Sequence, residues 1–134
     1  MSNETYDWCN FYNFAKEFSD SDNPTELRIG ISRFYYSAFC KCRDYIIENN
    51  LFLDKKCKNI FEDESSEVHK EIRNVFYNNS RIDKKYGKKI ARALSDVRKK
   101  RNKADYDSNN YKFRNDYDFV KAKVEMIFEY LEKL

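Results

Sequence analysis

A chain of 134 residues, 41% hydrophobic and 37% charged, is sized for one domain that builds its own core without metal or disulfide help. Its 17% aromatic content excludes a disordered chain, and two glycines with one proline give too little punctuation for a turn-rich β fold. The net charge of +3 is unevenly spread: from Arg81 to Lys103 eleven Lys or Arg face only Asp83 and Asp96, a local +9 that leaves −6 elsewhere. Such a stripe either steers a polyanion to one face or forms an ordinary solvated helix surface.

The opening MSNETYDW has no basic start followed by an apolar stretch, and no apolar run is long enough for a bilayer. A cytoplasmic location without membrane attachment is expected. Cys40 and Cys42 sit two apart on an expected helix and point to different faces. With Cys9, Cys57 and one histidine, they suggest reduced thiols rather than a zinc site, so no metal and no cofactor is expected.

In chain order, residues 5–18 place Phe11, Phe14, Ala15 and Phe18 at helical spacing. After the polar break of residues 19–23, Asn23 is a suitable N-cap, Pro24 fits the first helical position, and Glu26 completes a capping-box pattern. Leu27, Ile31, Phe34, Tyr35, Ala38, Phe39, Cys42, Tyr45 and Ile46 then give a wide apolar face ending near Asn49 and Asn50, as in the central helix of a bundle. Residues 51–64 read as a connector with local helical structure around 59–61. A third segment starts at Ser65 or Ser66 and buries Val68, Ile72, Val75 and Phe76. A fourth spans 83–104, with Ile90, Leu94 and Val97 as its stripe. A turn at Asp107–Asn110 precedes a fifth segment, 115–133, built on Val120, Val124, Ile127, Phe128 and Leu131. The expected fold is all-α: a single domain over 1–134, an up-down bundle of about five helices, one of them accessory.

The fourth segment carries the most informative departure. After Ile90, Leu94 and Val97, the next position on the core stripe is Arg101, followed by Ala104 and Asp105. Desolvating such a charge without a partner is costly, so its place on the stripe needs a reason.

That segment ends in RKKRNKADYD, residues 98–107, with Arg101, Asn102, Ala104, Asp105 and Tyr106. Earlier, residues 33–38 read RFYYSA, and Ser66, His69 and Phe76 follow on the third segment. In this order the three groups resemble the HEPN (higher eukaryotes and prokaryotes nucleotide-binding) superfamily. The resemblance is to a compact prokaryotic branch often paired with minimal nucleotidyltransferases. It implies a helical bundle that forms a homodimer through the faces bearing the signature. It also implies a role as a toxin of a toxin–antitoxin pair or in phage defence. Catalytic HEPN proteins are metal-independent ribonucleases in which an Arg steadies the scissile phosphate and a His four to six residues later moves protons. Here no His follows Arg101. Asp105 stands four positions on, Tyr106 five, and the one histidine, His69, lies on another segment.

The resemblance therefore implies Arg101, Asp105, Tyr106 and His69 as catalytic candidates. Arg98, Lys99, Lys100 and Lys103 would bind nucleic acid, with Arg33, Tyr36 and Asn102 in support. Each also has a purely structural reading. Arg101 and Asp105 can be an i, i+4 ion pair, and His69 a hydrogen-bonded core histidine. Tyr36 can be a packing group, Arg33 can pair with a carboxylate on a neighbouring helix, and the lysines can be solvated surface. Two functions stand in competition, with a helical nucleic-acid binder that has no active site as a weaker third. One is a dimer cleft around Arg101 that engages RNA or a nucleotide, as in a metal-independent ribonuclease. The other is a non-catalytic module that dimerises and binds a nucleotidyltransferase or another effector.

Overall fold

The computed structural model describes residues 5–109 and 113–134, and among them it holds six α-helices and no strand. They are α1 (Cys9–Lys16), α2 (Pro24–Glu48), α3 (Lys55–Glu62), α4 (Val68–Asn78), α5 (Lys84–Tyr106) and α6 (Arg114–Glu132). The all-α expectation holds, with six helices rather than five. The added element, α3, lies in the expected connector. Its start is set by Asp54, whose side chain accepts from the Cys57 N–H at 2.8 Å, and it buries Cys57 and Phe61. Eight residues with only two fully buried side chains leave a periodic signal too short to separate from loop.

Local chemistry fixes the two long helices. Asn23 caps α2 by accepting from the backbone N–H groups of Thr25 (2.9 Å) and Glu26 (3.3 Å). The return half of the capping box is relayed. Ser21 Oγ donates to Glu26 Oε1 at 2.7 Å and accepts from the Asn23 N–H at 3.0 Å. Asp83 caps α5, accepting from the Lys85 N–H at 2.8 Å. α4 starts at Val68, after Ser65 accepts the Glu67 N–H on its hydroxyl (3.2 Å) and the Val68 N–H on its carbonyl (3.0 Å). Asp107 closes α5 and accepts from the Asn109 N–H at 2.8 Å, a turn at the expected place; Asn110 lies outside the described residues.

α2 is the centre of the bundle. Trp8, Tyr12 and Ala15 of α1 and its lead-in meet Asp44, Phe34 and Gly30 in that order, so α1 runs antiparallel to α2. Arg28, Ser32 and Tyr35 meet Ala104, Asp105 and Arg101, so α5 is antiparallel as well. Gly30 against Tyr117 and Lys41 against Phe128 make α6 parallel to α2, and His69 beside Tyr35 with Phe76 beside Tyr45 does the same for α4. The shared core includes Ile31, Phe34, Tyr35, Phe76, Val97 and Tyr117, each at most 1% exposed. On α1 the expected stripe is turned: Phe14 is 46% exposed and meets Phe18 in a T-shaped pair, while Ala15 is buried. The narrow approach at Gly30 takes the small side chain. No helix among the described residues is long and apolar enough to cross a membrane.

Candidate functional site

Continuation of the core stripe of α5 carries Arg101 into the bundle, where it is only 6% exposed. Its guanidinium carbon lies 5.2 Å from the Tyr35 ring centre and 5.4 Å from that of Tyr36, both on α2. Cation–π contact of this kind holds the group in place without neutralising it. Among the described residues the one carboxylate it reaches is Asp105, at 3.5 Å from Nη1 to Oδ2, and Ser32 Oγ points at the same oxygen from 3.4 Å. Arg101 Nε is buried with no hydrogen-bond partner among the described residues, and so is Arg98 Nε one turn earlier. Both cations therefore keep donor capacity in reserve.

His69 comes in from the first turn of α4. Its ring stacks on Phe39 at 4.1 Å and on Tyr35 at 5.7 Å, and its Nδ1 shares a 2.5 Å hydrogen bond with the Tyr35 hydroxyl. Tyr35 thus joins the two residues, its ring under Arg101 and its hydroxyl on His69. Burial, then the charges of Arg98, Arg101 and Arg73, pushes the imidazole down to about 4. Burial pushes the Tyr35 phenol upward against the pull of the same three arginines. At neutral pH both are uncharged, and one proton lies between them. Arg73, one turn after His69, donates to the His69 carbonyl at 3.3 Å and is itself lowered by burial and by Arg98. Three arginines thus surround one neutral imidazole, with Asp105 as the carboxylate in contact. That potential suits an anion.

The remaining candidates are scattered. Tyr106, the residue after Asp105 and the last of α5, is 74% exposed. Lys99, Lys100 and Lys103 line a shallow groove with Asp96 and Phe119, on the side of α5 turned toward α6. There Lys100 pairs at 3.0 Å with the buried Asp116. The basic run is therefore split: Arg98 and Arg101 go to the Tyr35 face and the three lysines to another. Asn102 is exposed. Arg33 meets no carboxylate among the described residues within ion-pair distance; it lies over Phe11 (5.2 Å) and Tyr36 (5.8 Å). Tyr36 is half-buried between Arg33 and Arg101.

Ser32, Tyr35, Phe39 and Arg73 belong to the site beyond the expected set. Arg73 stands four residues after His69, and that spacing was its one available signal. Arg28 braces the end of α5, lying 4.4 Å from the Phe113 ring and donating to the Ala104 and Asn109 carbonyls. A separate cleft is lined by Tyr6, Trp8, Lys41, Asp44, Tyr45 and Phe128. Asp44 there accepts from Trp8 Nε1 at 2.9 Å and pairs with Arg43 at 3.1 Å. All four cysteines are free thiols, and no group of three or more His, Cys, Asp or Glu among the described residues is placed to hold a metal ion.

The chain matches no protein-family model, no curated protein and no solved structure.

Proposed function

We propose that this chain is an HEPN-type protein of the toxin or phage-defence kind whose Arg101 face grips an RNA phosphodiester and cleaves it without metal. The observation that carries this reading is Arg101 on the Tyr35 ring whose hydroxyl bonds His69, with Arg73 on the His69 carbonyl and the Nε atoms of Arg98 and Arg101 buried without a partner among the described residues. A phosphodiester would complete the hydrogen bonding of Arg101 and Arg98 and offset their mutual repulsion. It would also relieve the charge that depresses His69, raising its basicity when substrate is in place. In the tautomer where His69 Nδ1–H donates to Tyr35, the other ring nitrogen is free to take the 2′-hydroxyl proton. The 2′-oxygen then bonds to phosphorus as the bond to the 5′-oxygen breaks, and the proton held by His69 passes to that oxygen, which leaves as a 5′-hydroxyl. Arg101 stabilises the charge that builds on the phosphoryl oxygens.

The test is cleavage of unstructured RNA in EDTA by wild type and by Arg101→Met. Methionine replaces a buried, half-neutralised charge with an apolar chain of similar length. Asp105 loses its partner but keeps contact with water, its side chain being 27% exposed, so the melting temperature is expected to change little. Cleavage by wild type, none by the variant, and a nearly unchanged melting temperature is the expected result. A strong drop in melting temperature with cleavage intact would instead make Arg101 and Asp105 a structural pair.

A second reading rests on Tyr106, which is 74% exposed beside the site, and on the missing His after Arg101. It makes the same face a docking surface for a second copy or a nucleotidyltransferase, with no chemistry. Absence of cleavage by wild type in EDTA, together with a stable partner complex, selects it.

A further inference from the structure

A groove runs along the outer side of α4 and α5 toward the Arg101 face. α4 lines it with Arg73, Asn74 and Tyr77, and α5 with Ala91, Arg92 and Ser95. At one end Lys88 lies with its Nζ 5.2 Å from the Tyr77 ring centre. At the other, Arg73 donates to the His69 carbonyl and feels the charge of Arg98. Lys88, Arg92, Ser95, Arg98 and Asn102 follow one another at spacings of three and four on α5, so they form one stripe. From Lys88 to Arg101 the helix rises about 20 Å, a span of about six nucleotides at the 3.4 Å rise of a stacked strand.

Two features separate this groove from ordinary charged surface. None of Arg73, Lys88, Arg92 and Arg98 forms a salt bridge with a carboxylate among the described residues, whereas Lys100, on the α6 side, is paired with Asp116. Tyr77 stands 42% exposed among these cations, with a lysine over its ring. Cations that track a backbone, together with an aromatic face, are what an unpaired strand needs. A duplex keeps its bases stacked inside and would make no use of Tyr77. An acidic peptide would use the cations but not the ring.

We propose that the α4–α5 groove is a track for single-stranded RNA. Tyr77 stacks a base, Lys88, Arg92, Arg73 and Arg98 carry successive phosphates, and the strand is led to Arg101. The direction of the track rests on the reading of the Arg101 face given above, whereas binding in the groove does not.

Fluorescence anisotropy of labelled oligouridylate with the full chain tests it, using Tyr77→Ser and Arg92→Ala, both at exposed positions and both checked for helicity by circular dichroism. Tyr77→Ser should weaken binding about tenfold, within the range for loss of one stacked base. It should leave binding of inorganic polyphosphate unchanged. Arg92→Ala should flatten the log–log salt dependence by about 0.7, the value for one phosphate on a single strand. Wild-type affinity and salt slope in both variants would overturn the track. So would equal competition by polyglutamate with no effect of Tyr77→Ser, which would make the groove a seat for an acidic protein. Arg101→Met separates the two proposals. If cleavage is lost while oligouridylate still depends on Tyr77 and Arg92, both stand. If cleavage persists in that variant with the same dependence, the groove stands and the Arg101 reading falls.

Discussion

His69 is the one histidine in the chain, so its ring resonances report on the site without ambiguity. With burial and three arginines against its protonated form, its titration midpoint is expected near 4 rather than near the ordinary 6.5. The unfolded chain takes up this proton near pH 6.5 and the folded chain only near 4. Stability from this group is therefore complete above about 6.5 and is lost as pH falls toward 4. The full shift corresponds to about 3 kcal/mol, but the ring is half-exposed and screening reduces the contribution to about 1–2 kcal/mol. Proton NMR of the imidazole measures the midpoint directly. It should rise in Arg98→Ala, and rise again when oligouridylate is added to wild type. A midpoint near 6.5 in the free protein would mean a solvated ring that the three arginines do not perturb.

At the scale of the elements, both glycines mark places where helices touch backbone to neighbour. A Cβ at Gly87 would stand 2.3 Å from the Phe76 carbonyl oxygen and 2.9 Å from Ile82 Cγ2, so α4 would have to move off α5. A Cβ at Gly30 would stand 2.6 Å from Cε2 of the Tyr117 ring, an obstacle that a side chain can relieve by tilting. Alanine gains about 1 kcal/mol in helix propensity at either site, while overpacking costs about 1–3 kcal/mol and more against rigid backbone. Gly87→Ala should therefore be clearly destabilising in urea and Gly30→Ala less so. The reverse order would show α4 to be the looser contact.

The same contrast explains what could be read from the chain. The start of α2 was legible because a cap is local chemistry: Asn23 acts on backbone groups two and three residues away. The start of α5 near residue 83 followed from periodicity, and Asp83 caps it there. The core stripe of α5 and its charged end were legible because periodicity survives folding. Residues 98–103 were misleading because neighbours in sequence leave a helix in different directions, which sends Lys100 to Asp116 and Arg101 to Tyr35. Arg73 was illegible as a site residue because its role depends on how α4 lies along α5, and no local signal carries that packing.

For the whole molecule, the question is what covers the Arg101 face. Ile29, Arg33 and Tyr36 lie along one exposed flank of α2 at i, i+4, i+7, with Ile29 42% exposed. Asp105 meets α2 through Ser32, and Tyr106, the next residue of α5, is 74% exposed. An apolar side chain and an aromatic ring in the open beside an incompletely neutralised arginine make a poor monomer surface but a reasonable interface edge. A standard interface takes about 800 Å² from each partner, roughly a tenth of the 8199 Å² that this chain exposes. Two copies joined here would bring two Arg101 groups to one cleft, where a bound phosphodiester offsets the charge that each brings. Dimerisation should therefore tighten when RNA is present and weaken with salt in its absence. Sedimentation velocity should find wild type as a dimer of the 16.3 kDa chain. Ile29→Glu combined with Tyr106→Arg should leave a folded monomer that still binds oligouridylate along α4 and α5. A wild type that stays monomeric with and without RNA would leave the cleft to one chain alone, and Ile29 and Tyr106 would then be free for a different protein.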